Sequence, residues 1–270
     1  MGSRKFVLSV LLILLSCMAT AQQEAWLKTI TGNAIESSGK LYTYLNASPG
    51  YALYFSYADN IREPYLVYVP KSYNRAHPTS LVVFLHGAIL ARDSFQYKDP
   101  AIADEPIFSI GDTFNTIVLF PFARADLKWA GNSPVYRTII MMIHQAIERY
   151  NIDKKRIFIG GISMGGIATY WYVNHHPEIF AGFYTFSAMP KLGDEAIKFE
   201  NITKGKPLYS MNAKDDPGFS YTEVHTIYEQ HKDEAKGWHF ETVEKGGHRF
   251  IYNSDGRQYV KSLLGMLLKP

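Results

Sequence analysis

Residues 156–166 read RIFIGGISMGG, an apolar run that leads into a serine surrounded by glycines. The run at 156–160 predicts a strand buried on both faces, and residues 164–175 have a helical pattern. The pattern G-x-S-x-G at 161–165 forms a nucleophile elbow when it lies between a strand and a helix. Such a turn raises the serine hydroxyl above the sheet, so the sequence predicts Ser163 as a catalytic nucleophile.

Similar apolar runs recur along the 270 residues and alternate with helical patterns, as expected for one sizeable domain. Strands are predicted at residues 65–69, 81–85, 117–120, 156–160, 183–186, 208–211 and 239–243. Helices are predicted at residues 136–150, 164–175, 222–236 and 257–268. The alternation predicts an α/β fold, with a mostly parallel central sheet and helices on both faces. In such a sheet a site forms at the carboxyl ends of the strands.

The base for Ser163 is predicted from the order of residues along the chain. A serine hydroxyl needs a base within hydrogen-bond reach, and the base needs an orienting carboxylate. In this fold the order is serine, acid, histidine. Of the nine histidines, three precede Ser163 and two end the helix that it starts. His248 follows a Gly-Gly pair just after a predicted strand, and we predict it as the base.

The acid is predicted in the loop after the strand at 208–211. That loop contains two adjacent aspartates, Asp215 and Asp216, and one of them should face His248. Asp215 is the first choice and Asp216 the alternative. The remaining aspartate is expected to cap the loop or to lie in solvent, the common role of an aspartate beside proline. Asp194 and Glu195, after an earlier strand, are weaker candidates.

An oxyanion hole is predicted from two backbone amides. One is the amide of Met164, at the start of the helix that follows the nucleophile. The other is the amide of Ala88, in the loop after the strand at 81–85. His86 in that loop is expected to fix the loop by hydrogen bonds rather than to join the chemistry.

The N-terminus predicts an exported protein. Arg4 and Lys5 precede an apolar run and the sequence Ala-Thr-Ala at 19–21, which is the layout of a secretory signal peptide over residues 1–21. The alternative is a lipid anchor on Cys17, which ends a Leu-Leu-Ser-Cys sequence. The run is too short to favour a membrane span, so none is expected in the mature chain. We predict an extension of short strands at 22–62 and a catalytic domain at 63–270.

Composition and residue spacing argue against nucleic acids and metal ions as partners. The net charge is only +3 with no long basic run, which disfavours nucleic-acid binding. No metal-ligand spacing is evident, because His175 and His176 are adjacent rather than spaced. The predicted chemistry needs no cofactor. Trp129 and Arg124 follow a strand that should end near the site, and either could contact substrate.

Three stretches resemble one branch of a known superfamily. They are YLVYVP at 65–70, LVVFLHG at 81–87 and NIDKKRIFIGGISMGG at 151–166. Together they resemble the secreted esterase and depolymerase branch of the α/β-hydrolases, which includes feruloyl and acetylxylan esterases and polyhydroxybutyrate depolymerases. The resemblance covers residues 62–268. Members often have a glycine three residues before the catalytic aspartate; here Asn212 holds that place, which supports Asp215.

The predicted function is hydrolysis of short-chain or aromatic acyl esters, on small molecules or glycans, through an acyl-enzyme. Three alternatives stay open. They are a serine peptidase of the prolyl-oligopeptidase type, an acyltransferase that uses the same serine, and a binding module without catalysis on a hydrolase scaffold.

Overall fold

The computed structural model describes residues 2–32, 48–58, 61–126, 128–129 and 133–269. Its strands are β1 (Gly50–Ala58), β2 (Ile61–Val69), β3 (Thr79–Leu85), β4 (Thr116–Pro121), β5 (Ile152–Ile162), β6 (Gly182–Phe186), β7 (Leu208–Ala213) and β8 (Trp238–Val243). They form an eight-stranded sheet in the order β1-β2-β4-β3-β5-β6-β7-β8. The pairs β1–β2 and β2–β4 are antiparallel, and all the other pairs are parallel.

Helices cover both faces of this sheet. They are α1 (Gly2–Gly32), α2 (Ser109–Phe114), α3 (Ser133–Arg149), α4 (Met164–His175), α5 (Tyr221–His231) and α6 (Gly256–Leu267). Successive strand residues point to opposite faces, so the core divides into two layers. Leu81 and Val83 pack with α3 and α4 on one face. Val82 and Phe84 pack with α1, α2 and α6 on the other. The predicted mostly parallel sheet with helices on both faces is therefore confirmed.

The N-terminal region differs from the predicted extension of short strands. Residues 22–32 are helical, as the last part of α1. Trp26 and Ile30 are buried, and Trp26 Nε1 donates a hydrogen bond to Tyr97 O at 2.8 Å. Strands begin only with β1 and β2, and residues 33–47 lie outside the described ranges. In the described parts of the chain, no helix combines the length and hydrophobicity needed to cross a membrane.

The carboxyl ends of the parallel strands bring the predicted site residues to one edge of the sheet. β5 ends directly before Ser163, and β3 ends directly before His86. β7 and β8 pair in parallel up to Ala213 and Val243, so the loops after them leave the sheet side by side. These loops carry the two candidate aspartates and His248. Strand topology alone thus gathers residues that are far apart in sequence.

Candidate active site

The turn between β5 and α4 holds Ser163 in a strained backbone conformation. Its φ is 54° and its ψ is −119°, outside the regions that L-residues prefer. Ser163 N donates a hydrogen bond to Phe186 O at 3.0 Å, and Ser163 O accepts one from Ile167 N at 2.9 Å. The side chain is only partly buried. Neighbouring backbone thus holds the strained turn in place and leaves the hydroxyl accessible.

Two glycines of the motif allow the end of β3 to approach this turn closely. A Cβ added at Gly161 would lie 2.1 Å from Leu85 O, and one added at Gly165 would lie 1.9 Å from the same oxygen. Both distances are far shorter than any non-bonded contact between carbon and oxygen allows. The glycines are therefore required by packing against β3, which also carries the loop of the predicted oxyanion hole.

Gly165→Ala is expected to destabilise the protein by at least about 3 kcal/mol, because backbone must move to admit the methyl group. Helix propensity alone would give the opposite sign, a gain of about 1 kcal/mol for alanine inside α4. Urea unfolding measures the difference. Gly205→Ala is the control, since its Cβ would meet nothing nearer than Thr203 Oγ1 at 3.9 Å. Equal midpoints for Gly165→Ala and wild type would contradict this packing argument.

The structure joins Ser163, His248 and an aspartate in one chain of hydrogen bonds. His248 Nε2 lies 2.8 Å from Ser163 Oγ. His248 Nδ1 lies 2.9 Å from Asp216 Oδ1 and 2.8 Å from Asp216 Oδ2. A carboxylate only accepts, so Nδ1 carries the proton and Nε2 is left to accept from the serine hydroxyl. This is the donor and acceptor order that a catalytic triad needs.

The aspartate that contacts His248 is Asp216, so the prediction that Asp215 would face this histidine is wrong. The Asp216 side chain is 1% exposed, and its Oδ1 also accepts from Gly218 N at 2.7 Å and Phe219 N at 3.0 Å. The carboxylate therefore caps its own turn and orients the imidazole at once. Two oxygens with several lone pairs can satisfy all these donors.

Asp215 instead secures the loop that carries His248. Its Oδ1 accepts from Gly246 N and from Gly247 N, both at 2.9 Å. The Gly247 amide is the main cause that lowers the pKa of the Asp215 carboxyl. Asp215 thus ties the loop after β7 to the loop after β8, immediately before His248.

Both predicted oxyanion donors begin a helical turn next to Ser163. Met164 is the first residue of α4, and Ala88 is the first residue of a 3-10 turn at Ala88–Leu90. Amides at such positions have no partner within their own helix. A Cβ at Gly87 would lie 3.6 Å from Ser163 Cβ, which shows how closely this turn approaches the nucleophile. Their role as oxyanion donors stays a prediction.

His86 is buried behind the predicted oxyanion loop. Desolvation lowers its pKa to about 4, so the imidazole is neutral near pH 7. His86 Nε2 accepts from Ala123 N at 2.9 Å, which leaves the proton on Nδ1. Nδ1 then donates to Gly87 O at 2.7 Å. Both nitrogens are used inside the protein, in keeping with a role in fixing the loop.

The two tentative substrate contacts lie in different surroundings. Trp129 is 1% exposed, so the prediction that it contacts substrate is wrong. Arg124 lies at the surface, where its guanidinium donates to both carboxylate oxygens of Asp126 at 2.7 Å. A contact between Arg124 and substrate stays a prediction.

Two residues at the site were missed by the sequence argument. The Phe219 ring meets the His248 ring edge to face, with centroids 5.1 Å apart. A Cβ at Gly218 would lie 3.0 Å from His248 Nδ1. The signal was present in the turn sequence Asp-Pro-Gly-Phe at 216–219, but it indicates a turn and not what the turn encloses.

Comparison with known proteins finds similarity to a peptidase family and to two esterases. The model of the prolyl oligopeptidase family matches residues 126–189, which include the elbow. A bifunctional acetylxylan esterase/xylanase of Neocallimastix patriciarum is 25% identical over 172 residues, which cover 62% of this chain and 23% of that protein. Feruloyl esterase B of Talaromyces stipitatus is 25% identical over 140 residues, which cover 46% of this chain and 35% of that protein.

The chain spans about a quarter to a third of the length of these two relatives. A solved structure of a thermostable esterase superposes with a TM-score of 0.61 at 22% identity and covers 81% of this chain and 61% of that one. That likeness shows a shared fold. Together the matches confirm the resemblance to α/β-hydrolase esterases that the sequence motifs indicated.

Proposed function

We propose that this chain, which has the α/β-hydrolase fold, is an exported serine carboxylesterase that hydrolyses short-chain or aromatic acyl esters. The observation that carries the proposal is the chain of hydrogen bonds from Ser163 through His248 to Asp216, at 2.8 and 2.8 Å. Binding without catalysis would not require a strained serine, a histidine protonated on Nδ1 and a buried carboxylate joined by hydrogen bonds in this order. The binding-module alternative is disfavoured on the same ground.

In the first step, Ser163 Oγ attacks the ester carbonyl carbon while its proton passes to His248 Nε2. Asp216 stabilises the imidazolium that forms. The carbonyl oxygen becomes an oxyanion, which the amides of Met164 and Ala88 stabilise. His248 then returns the proton to the alcohol oxygen as the bond to the carbonyl carbon breaks. The alcohol leaves, and the acyl group stays on Ser163.

In the second step, His248 Nε2 takes a proton from water, and the oxygen of that water attacks the acyl carbon. The tetrahedral intermediate collapses, Ser163 leaves with the proton from His248, and the acid is released. The same two amides serve both steps. In each step His248 takes up one proton and gives it back, so the enzyme ends the cycle in its starting protonation state.

Apolar groups beside the reaction centre support a short or aromatic acyl group. Phe219 lies against His248, and Ile89, next to the predicted donor Ala88, is 43% exposed. Between β6 and β7 the helical structure is a 3-10 turn at Phe199–Asn201, so residues 187–207 include no long apolar helix that could cover a lipid chain. The two relatives are named for feruloyl and acetylxylan esters, which supports an ester on a glycan.

Hydrolysis of p-nitrophenyl esters of rising acyl length, beside methyl ferulate and acetylated xylan, tests this proposal. We expect turnover of the acetate and of ferulate, and a kcat/KM that falls as the straight acyl chain lengthens. A fluorophosphonate should label wild type and abolish turnover. Wild type that neither turns over any ester nor takes the label would refute the esterase proposal.

The match to the prolyl oligopeptidase family model keeps a peptidase as the second candidate. It shares the serine and histidine chemistry, so peptidyl p-nitroanilides belong in the same panel. A kcat/KM higher on an anilide than on every ester would favour the peptidase. Turnover that rises with an added alcohol, with ester exchange as the product, would favour an acyltransferase.

The export part of the proposal rests on the basic, then apolar, then Ala-Thr-Ala sequence before residue 22. Trp26 and Ile30 are docked in the core, and cleavage after Ala21 would leave both residues in place. The intact mass of the secreted protein distinguishes cleavage after Ala21 from lipidation of Cys17. A full-length chain retained in the cytoplasm would refute export.

A further inference from the structure

The loop that begins with His86 is held from two sides by buried groups outside the predicted triad. Trp129 Nε1 donates a hydrogen bond to His86 O at 2.8 Å. The indole ring also packs on the imidazole, with centroids 5.0 Å apart and planes inclined by 57°. Trp129 is 1% exposed and His86 is fully buried. A tryptophan 43 residues away in sequence thus fixes both the backbone and the ring of His86.

The ring of His86 in turn fixes the next peptide group. Ala123 N donates to His86 Nε2 at 2.9 Å, and His86 Nδ1 lies 2.7 Å from Gly87 O. The first contact forces the proton onto Nδ1, so the second is a hydrogen bond donated by the imidazole. The Gly87 carbonyl therefore points into the protein, toward the buried ring.

The direction of that carbonyl sets the direction of the Ala88 amide. The described residues contain no cis peptide bond, and in a trans peptide the C=O and N–H point in opposite directions. With the Gly87 carbonyl turned inward, the Ala88 N–H must point away from the ring. Gly87 itself lies against the elbow, where its added Cβ would be 3.6 Å from Ser163 Cβ.

We propose that Trp129 and His86 form a clamp that aims the Ala88 amide at the oxyanion, which makes both of them positioning residues for the reaction. The inference rests on the proposed hydrolase function and adds to it the part that sets the geometry of one donor. Within the loop, Gly87 O accepts a long hydrogen bond from Leu90 N at 3.3 Å, and the shorter bond from His86 adds a restraint from outside the turn. A preorganised donor is worth more than one that must turn during the reaction.

Trp129→Phe tests the clamp, because it keeps a smaller aromatic ring in the core and removes the Nε1 donor, and Trp171→Phe controls for the loss of ring size. We expect kcat for p-nitrophenyl acetate to fall about tenfold or more, while KM stays within twofold. Removing an oxyanion donor outright costs about 10²- to 10³-fold, so a misaimed donor should cost less. The inhibition constant of phenylboronic acid, which forms a tetrahedral adduct on serine, should rise by a similar factor. A purely structural role does not predict this combination, in which boronate binding weakens while KM stays unchanged.

Two substitutions of His86 test the clamp independently of whether Trp129→Phe folds. The amide nitrogen of asparagine can take the place of Nδ1, whereas the amide oxygen of glutamine can take the place of Nε2. His86→Asn should therefore keep the bond to Gly87 O and most of kcat, and His86→Gln should lose about tenfold. The matched control is Trp171→Phe on α4, where the indole stacks on Tyr136 with centroids 4.3 Å apart. We expect Trp171→Phe to keep both kcat and boronate affinity.

The clamp is overturned if folded Trp129→Phe keeps kcat and boronate affinity within twofold of wild type. It is equally overturned if His86→Gln is as active as His86→Asn. These results differ from a failure of the hydrolase proposal, in which wild type itself would neither turn over the ester nor take a fluorophosphonate label. That last result would remove the oxyanion and the clamp together.

Discussion

Ser163→Ala should lower kcat for p-nitrophenyl acetate by about 10⁶-fold, which is the size of loss seen when a triad serine is removed. The substitution removes the attacking oxygen and leaves His248 Nε2, now 2.8 Å from that oxygen, without its partner. KM should change little, because the binding surfaces are kept. Initial rates with a large excess of enzyme measure the residual activity.

Ser163→Gly is the matched variant that separates chemistry from backbone strain. The nucleophile has a φ of 54°, which a residue with a Cβ adopts only at a cost of about 1–3 kcal/mol. Glycine relieves that cost, so Ser163→Gly should be inactive but more stable to urea than Ser163→Ala. Activity of either variant near wild type would show that another residue is the nucleophile. Equal stability of the two would show that the turn stores no strain.

Asp216→Asn should lower kcat by about 10⁴-fold, as a wrong imidazole tautomer does in other triads. The reason lies in the amides of Gly218 and Phe219, which both donate to Asp216 Oδ1. An asparagine must keep its oxygen toward these two donors, so its NH₂ group faces His248 Nδ1. That nitrogen must then accept, the proton moves to Nε2, and Ser163 loses its base.

Asp215→Asn is the control that the neighbouring residue provides. Its carboxylate accepts from the amides of Gly246 and Gly247, and an amide oxygen can replace it there. We expect a loss in kcat of less than about tenfold, since this hydrogen bonding is to the loop and not to the imidazole. The pH profile of kcat/KM compares the two variants directly. A larger loss for Asp215→Asn than for Asp216→Asn would contradict the assignment of Asp216.

The parts of the site that follow from strand ends could be predicted from the sequence. Ser163 follows directly after β5, whose apolar run is plain, and His248 lies in the loop after β8, which mixes apolar and polar residues. Parallel pairing from β5 to β8 brings the ends of these strands to one edge of the sheet. The helix after the elbow was predicted with the same bounds as α4, residues 164–175. The hydrophobic period of each segment and the order of the motifs can be read from the sequence, and here the tertiary structure agrees with both.

The choice between adjacent aspartates could not be made, because it depends on how a turn closes. β7 runs two residues further than the predicted strand, to Ala213, and Asp216 N donates back to Ala213 O at 3.3 Å. From the sequence, capping the turn and orienting the histidine are competing roles for the aspartate before proline. One carboxylate does both, since its oxygens can accept from the turn and from His248 together.

Trp129 shows a second limit of the sequence argument. A tryptophan after a strand end near a site has the same sequence signature whether it contacts substrate or backbone. Here the indole N–H donates to His86 O, which lies in the loop after β3. The partner therefore depends on a distant part of the chain. The helical residues 22–32 illustrate the same point, because the burial of Trp26 depends on contacts with Tyr97 and Tyr51, which are distant in the chain.

Mass spectrometry of fluorophosphonate-treated protein tests the central claim most directly. Trypsin should release residues 157–191 as one peptide, which includes both Ser163 and Ser187. We predict a single adduct whose fragment ions assign it to Ser163, formed slowly in Asp216→Asn and not at all in Ser163→Ala. An adduct on Ser187 or on any other peptide, or persistent labelling of Ser163→Ala, would contradict the assignment of Ser163 as the nucleophile.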